Sequence, residues 1–229
     1  MTPTNTCPDH RPSLPPMPPS IAMLPIDERG YPVPFFVAWP NGKPDFRVFD
    51  PKKFAACQGR KLCWVCGERL REDEPGSFLI GPMCVVNRTT SEPPSHLECA
   101  VFSAIACPFL SIPSAQRREA NLPDHLEMPG IPILRNPGVS VVYSTPHWQY
   151  QADGFCKGLF ALGDPVTTEW YTKGRLASTK EALASINSGL PALIQMAESD
   201  PQIGAMEALT QMVNDAFRLV PVRCDDGGC

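Results

Sequence analysis

No stretch of this sequence holds about 18 consecutive apolar residues, so nothing in it reads as a membrane-spanning helix. Charge is sparse: 19% of residues are Asp, Glu, Lys or Arg, and the net charge is -4. A global basic field that would draw in nucleic acid is therefore missing. There are four histidines, His10, His96, His125 and His147. Gly-rich phosphate loops, a Gly-x-Ser-x-Gly elbow and internal repeats are all absent, which leaves nucleotide cradling and a serine-hydrolase elbow without sequence support. The N-terminus lacks the basic-then-apolar order of a secretory signal, so the expected compartment is the cytoplasm.

Proline and cysteine are what the chain has in plenty. Of 28 prolines, 12 precede residue 45. Each fixes φ and removes a backbone donor, so short elements and much irregular chain are expected. Residues 1–20 read as a disordered proline-rich tail with little to bury. Six of the ten cysteines fall between Cys57 and Cys107. In a reducing compartment such a cluster points to metal before disulfides.

Local signals place several elements. Asn41-Gly42 between two short apolar runs predicts a hairpin. Asp50-Pro51 predicts the cap and first residue of a helix running to about Arg60. Residues 78–87 suggest two short strands broken at Gly81-Pro82. Leu97, Ala100, Val101, Ala104 and Ile105 recur at helical spacing, with Ser95 as the expected N-cap and Glu98 closing a capping box. Strands are expected at 139–145, 155–161 and 166–171. Ser178 and Glu181 form a capping box for a C-terminal helix that Gly189 and Pro191 should interrupt. A last helix is expected over residues 201–219, its apolar stripe made of Met206, Leu209, Met212, Val213 and Phe217.

The chemistry-bearing pattern is Cys63-Trp64-Val65-Cys66, with Gly67 directly after it, and then His96-Leu97-Glu98-Cys99, the two pairs being separated by 29 residues. Two cysteines flanking a tight turn aim their sulfurs at one point. A His and a Cys three apart share one helix face, in a first turn whose positive end favours thiolate. Zinc takes four such ligands in a tetrahedron. The expectation is one structural zinc ion held by Cys63, Cys66, His96 and Cys99. Cys84 is the rival ligand, and Cys57 and Cys107 read as core thiols. Four protein ligands leave no open position for catalysis. The zinc deaminase order, His-x-Glu before Cys-x-x-Cys, is reversed here, and no other histidine lies between the two pairs to serve a nuclease.

Lys61, Trp64, Arg69, Arg71 and Arg88 group around the knuckle and are candidate nucleic-acid contacts. His147 and Asp153, in a loop rich in aromatics, are the candidates if the chain is an enzyme.

The fold expected is α+β: a treble-clef-like zinc-bound core with a small antiparallel sheet and C-terminal helices. The expected organisation is a tail at 1–20, a zinc-binding region at 21–111, an irregular linker at 112–138 and a sheet-plus-helix region at 139–221, integrated with the zinc-binding region. The function expected is that of a non-enzymatic binding protein, with a protein partner favoured over nucleic acid and no membrane.

Gly30-Tyr31-Pro32-Val33-Pro34, Cys63-Trp64-Val65-Cys66-Gly67, Ile80-Gly81-Pro82-Met83-Cys84 and Pro93-Pro94-Ser95-His96 with Cys99 resemble a group of uncharacterised proteins encoded by bacteria and their phages. The resemblance implies a prokaryotic or phage origin and a metal site; for a binding protein of phage origin, a setting in phage–host interaction is the expectation. It carries over no activity. Its pattern includes Cys84, which keeps that residue in contention as a ligand.

Overall fold

The structure, a computed structural model, describes residues 14–112, 115, 136, 138–152 and 158–224. The chain forms a short helix α1 (Pro19–Ala22), strands β1 (Val37–Ala38) and β2 (Asp45–Phe49), helix α2 (Pro51–Arg60), strand β3 (Gly76–Ile80), helix α3 (Pro82–Asn87), strand β4 (Thr89–Thr90), and helices α4 (Leu97–Ala106) and α5 (Pro108–Ser111). Strands β5 (Ser140–Thr145), β6 (Trp148–Gln151), β7 (Leu159–Leu162), β8 (Thr167–Thr172) and β9 (Arg175–Leu176) follow, then helices α6 (Thr179–Ser199) and α7 (Ala205–Arg218). This is a mixed α+β fold with small antiparallel sheets and C-terminal helices.

The strands make three sheets: the pair β1-β2, a four-stranded sheet in the order β3-β5-β8-β9, and a three-stranded sheet in the order β4-β7-β6. Both larger sheets combine strands from the two halves of the chain. β5 is buried along its whole length, as a central strand covered on both faces should be. Leu79, Val142 and Tyr171 meet α4 through Ala100 and Ala104 on one face. Phe78, Val141, Tyr143 and Trp170 point the other way, into the main core with Val85 and Val86 of α3, Phe160 of β7, Ile186 of α6 and Ala216 of α7.

Local chemistry explains most boundaries. The β1–β2 turn puts Asn41 and Gly42 at φ 54° and 76°, the left-handed conformations these residues accept most readily. Asp50 caps α2 by accepting from the Lys52 amide at 2.8 Å, with Pro51 in the first turn. Asp50→Ala should cost about 1 kcal/mol, read as a lower urea midpoint at unchanged slope.

Ser178 and Glu181 complete their capping box, and Arg175 clamps the Glu181 carboxylate through two bonds of 2.9 and 3.0 Å. That guanidinium, helped by the Ser178 amide, holds Glu181 down at about 2. A carboxyl depressed in the folded state stabilises above its unfolded pKa, and the gain fades as pH falls toward the folded value. Glu181→Gln should therefore cost about 1 kcal/mol near neutrality and almost nothing near pH 2, measured by denaturation at both pH values.

Several expectations are corrected. Residues 82–87 form a helix instead of a second strand: Pro82 opens α3 with φ preset, and this outweighs the β-branched Val85 and Val86. Ser95 does not cap α4. Its backbone pairs with Ser77 of β3 in both directions, at 2.8 and 2.9 Å, and His96 takes the cap position. α6 runs unbroken through Pro191. Gly189 lies where α6 crosses α3, and a Cβ there would sit 2.6 Å from the Met83 sulfur, so the glycine permits close packing. Residues 148–151, read as loop, are β6. In α7 the inward stripe is Leu209, Val213 and Phe217, while Met206 and Met212 are exposed. Helix α1 begins inside the segment assigned to the tail. Asp153, most of the 112–138 segment, the start of the 155–161 strand and the chain end beyond residue 224 lie outside the described residues.

Candidate metal centre

Three segments converge at one end of α4. The first is the knuckle. Leu62 bridges Arg69, the Cys63 amide bonds to the Glu68 carbonyl at 2.7 Å, and the Gly67 amide returns to the Cys63 carbonyl at 2.9 Å. Gly67 has φ 79°, and a Cβ on it would lie 2.6 Å from the Phe35 ring. Only glycine both makes this turn and admits the ring. The second segment is the start of α4, where His96 caps the helix and Cys99 occupies its first turn. The Ser77–Ser95 pairing, by tying the residue before His96 to β3, fixes where that helix begins. The third is α1, whose Ser20 hydroxyl lies 3.5 Å from the Cys99 sulfur.

Cys63, Cys66, His96 and Cys99 bring one ligand atom each to within 4.8 Å of one another. A tetrahedral ion with bonds of about 2.0–2.3 Å needs ligand separations of roughly 3.3–3.8 Å. The pair Cys66 Sγ–His96 Nδ1 is already at 3.4 Å, and Cys99 Sγ–His96 Nδ1 is at 4.0 Å. The four residues thus form a Cys3His cluster suited to one metal ion.

The surroundings prepare the ligands. His96 Nε2 lies 3.2 Å from the Arg69 carbonyl. A carbonyl can only accept, so Nε2 carries the proton and Nδ1 is left free toward the sulfurs. Cys63 Sγ receives the backbone amides of Cys66 and His96, both at 3.4 Å. Hydrogen bonds from the Cys66 thiol, then the Cys99 thiol, with the Cys66 amide, pull the Cys63 thiol far below its ordinary value although burial opposes them, and the same contacts push Cys99 up. Thiolate is the form that binds metal. Cys63 and Cys99 are fully buried among Ile21, Val65, Leu70 and Phe102, a small apolar core that keeps water from the sulfurs.

The remaining thiols behave differently. Cys84 sits on α3 against the main core, where burial pushes its pKa up to about 11. It is not part of the cluster. Cys57 is buried beside Leu62 and Trp64, and burial, then the charges of Cys63 and Cys66, push it up to about 12. Burial also raises Cys107. All three suit neutral core thiols. Cys224 is disulfide-bonded, so the expectation of reduced cysteines does not extend to it.

The candidate nucleic-acid contacts scatter. Trp64 is 4% exposed and stacks on Phe36 with ring centroids 4.8 Å apart, Phe54 and Phe49 completing the cluster. It is a core residue, which corrects the expectation of an exposed stacking platform. Arg69 and Arg71 are exposed but pair with Glu72 and Glu74. Arg88 bonds the Tyr143 hydroxyl at 2.7 Å and pairs with Asp164. Lys61 is exposed at the end of α2. His147 is exposed between β5 and β6.

Sequence spacing located the four residues of the cluster. It gave no sign of Ser20 or of the Arg69 carbonyl, because the former is 79 residues from its partner and the latter is a backbone group. No family model matches the chain, and no curated protein or solved structure matches it. Among the described residues no helix is long and apolar enough to cross a membrane.

Proposed function

We propose that this chain is a zinc-stabilised, non-enzymatic binding protein with a treble-clef-like core, and that it engages a protein partner in preference to nucleic acid. The observation that carries the reading is the Cys3His cluster, four protein ligands on a knuckle and a helix start. Three thiolates and an imidazole in this arrangement are the donors of a structural zinc site, and a filled tetrahedron has no position left for water or substrate. The treble-clef reading rests on the order of parts: the knuckle at 62–69, a hairpin made of β3 and its Ser95 partner, then α4. Residues 81–94, with α3 and β4, are an elaboration inside that hairpin. A phage–host setting rests on sequence resemblance alone.

Nucleic acid is the weaker partner because Trp64 is buried and Arg69, Arg71 and Arg88 are each paired with a carboxylate. The test is native mass spectrometry with elemental analysis on wild type and on the Cys63→Ala, Cys84→Ala, His96→Ala and Cys99→Ala variants. One zinc per chain is expected, weakened or lost in all but Cys84→Ala. Zinc kept by His96→Ala and lost from Cys84→Ala would overturn the ligand set. Turnover of a substrate that disappears in His147→Ala would overturn the non-enzymatic reading.

A further inference from the structure

Helices α6 and α7 are joined by residues 200–204 and pack against each other and against α3. Their apolar stripes outrun the body they pack on. In α6, Ala182, Ile186, Leu190 and Leu193 meet the main core, and the next inward position, Met196, is 45% exposed. In α7, Val213 and Leu209 meet the core, and the preceding position on that stripe, Met206, is 37% exposed. Ile203 in the connection is fully exposed. An amphipathic stripe continuing past its own core leaves apolar surface that water covers at a cost. Methionine is the side chain that best reshapes itself around a variable apolar partner.

The charge along the hairpin itself is one-sided. Between Lys180 and Arg218 the sequence holds five carboxylates and no Lys, Arg or His. Glu181 is clamped by Arg175 and Asp215 is paired with Arg218. Glu198, Asp200 and Glu207 remain, all exposed and all at the end of the hairpin where the stripe is uncovered. Two such ends placed together would oppose like charges. A partner of opposite sign gains attraction and encounter rate as well as apolar burial.

We infer that the distal end of the α6–α7 hairpin is a docking surface for a basic amphipathic helix of a partner protein, its apolar face laid on Met196, Ile203 and Met206 and its cations facing Glu198, Asp200 and Glu207. This mode follows the general physics of helix-in-groove recognition. It deepens the binding-protein reading above and rests on it for the existence of a partner, not for the metal.

The test uses the full metal-loaded chain and a fluorescein-labelled synthetic peptide of about 18 residues, with leucines at helical spacing on one face and lysines on the other. Fluorescence anisotropy at near-physiological salt should show saturable binding. Met206→Asp, and separately the pair Glu198→Lys with Glu207→Lys, should weaken it at least about tenfold. Glu28→Lys, an exposed charge far along the chain, should leave it unchanged, as a peptide with glutamates in place of lysines should fail to bind. Binding that ignores the hairpin variants, or equal affinity for the acidic peptide, overturns the proposal. So does a mass in sedimentation equilibrium that doubles with concentration and returns to monomer in Met206→Asp, since a second copy would then cover the face. Metal analysis of the same samples keeps the two readings apart. Zinc without peptide binding defeats the partner class alone. Peptide binding without metal defeats the zinc reading alone.

Discussion

Stripping the metal with excess chelator should abolish protection from hydrogen exchange in the knuckle, α1 and the first turns of α4, while β5 and β8 keep more of theirs. The apolar core around the ligands is small: Ile21, Val65, Leu70 and Phe102 besides Cys63 and Cys99. Without an ion, three thiols and an imidazole face one another there with only weak hydrogen bonds between them. A structural zinc site contributes about 10–16 kcal/mol of apparent binding free energy, against about 5–15 kcal/mol for the net stability of a whole domain. No local apolar contact in this region can replace that. The main core is different, because its buried residues include none of the ligands. The two regions share β3, through the Ser77–Ser95 pairing, and α4, which packs on Val142 and Tyr171. The loss should therefore spread into β3 before it reaches the helices α6 and α7. The measurement is exchange mass spectrometry before and after chelation, with zinc added back. Uniform exchange unaffected by removal of a stoichiometric metal would sink the structural role. Recovery on adding zinc separates metal loss from aggregation.

The parts of this site written as local chemistry were legible in the sequence. Cys63 and Cys66 around a turn, and His96 and Cys99 at helical spacing, name their own geometry. So do Asn41-Gly42, Asp50-Pro51 and the Ser178–Glu181 box, each a short-range hydrogen-bond or φ requirement satisfied within a few residues. What the sequence did not display was set across long separations. Ser95 has the right side chain and spacing for an N-cap, yet its backbone is claimed by Ser77 and the helix starts one residue later. Val85 and Val86 favour strand by propensity, but they fill the core under β5 from a helix that Pro82 opens. Trp64 beside basic residues resembled a stacking platform, yet Phe36, from 28 positions earlier, lies flat against it. Pro191 marks a helix end by local rule, and packing of α6 on α3 on one side and α7 on the other carries the helix through. At Ser95 and Trp64 a tertiary contact decided the outcome, at Val85 and Val86 the Pro82 start and core packing together outweighed a strand preference worth about 1 kcal/mol or less, and at Pro191 packing met a cost of about 3 kcal/mol.

Trp170→Ala should be the most damaging single substitution outside the metal site, at about 3–5 kcal/mol. Trp170 lies on β8 at 1% exposure, in the middle of the main core. Its removal leaves a cavity between β5, α3 and the end of α7, walled by strands and helices that cannot collapse together without breaking the four-stranded sheet. The indole also holds the end of α7 in place, since its Nε1 donates to the Leu219 carbonyl at 2.8 Å, just past the last turn of that helix. Thr168 donates to the same carbonyl at 3.2 Å. That second donor separates two contributions. Trp170→Phe keeps most of the apolar volume and leaves the carbonyl partnered by Thr168, so it should cost only about 1–2 kcal/mol. Adding Thr168→Val orphans the carbonyl, and the double variant should lose more than the two single losses added together. Urea titrations of the four proteins provide the check. Additive losses would mean that the Leu219 carbonyl finds water when Trp170 is absent and that the end of α7 is held by packing alone. A coupled loss would make the pair of hydrogen bonds the fastening by which the sheet holds the base of the α6–α7 hairpin, the platform from which its acidic, methionine-bearing end projects.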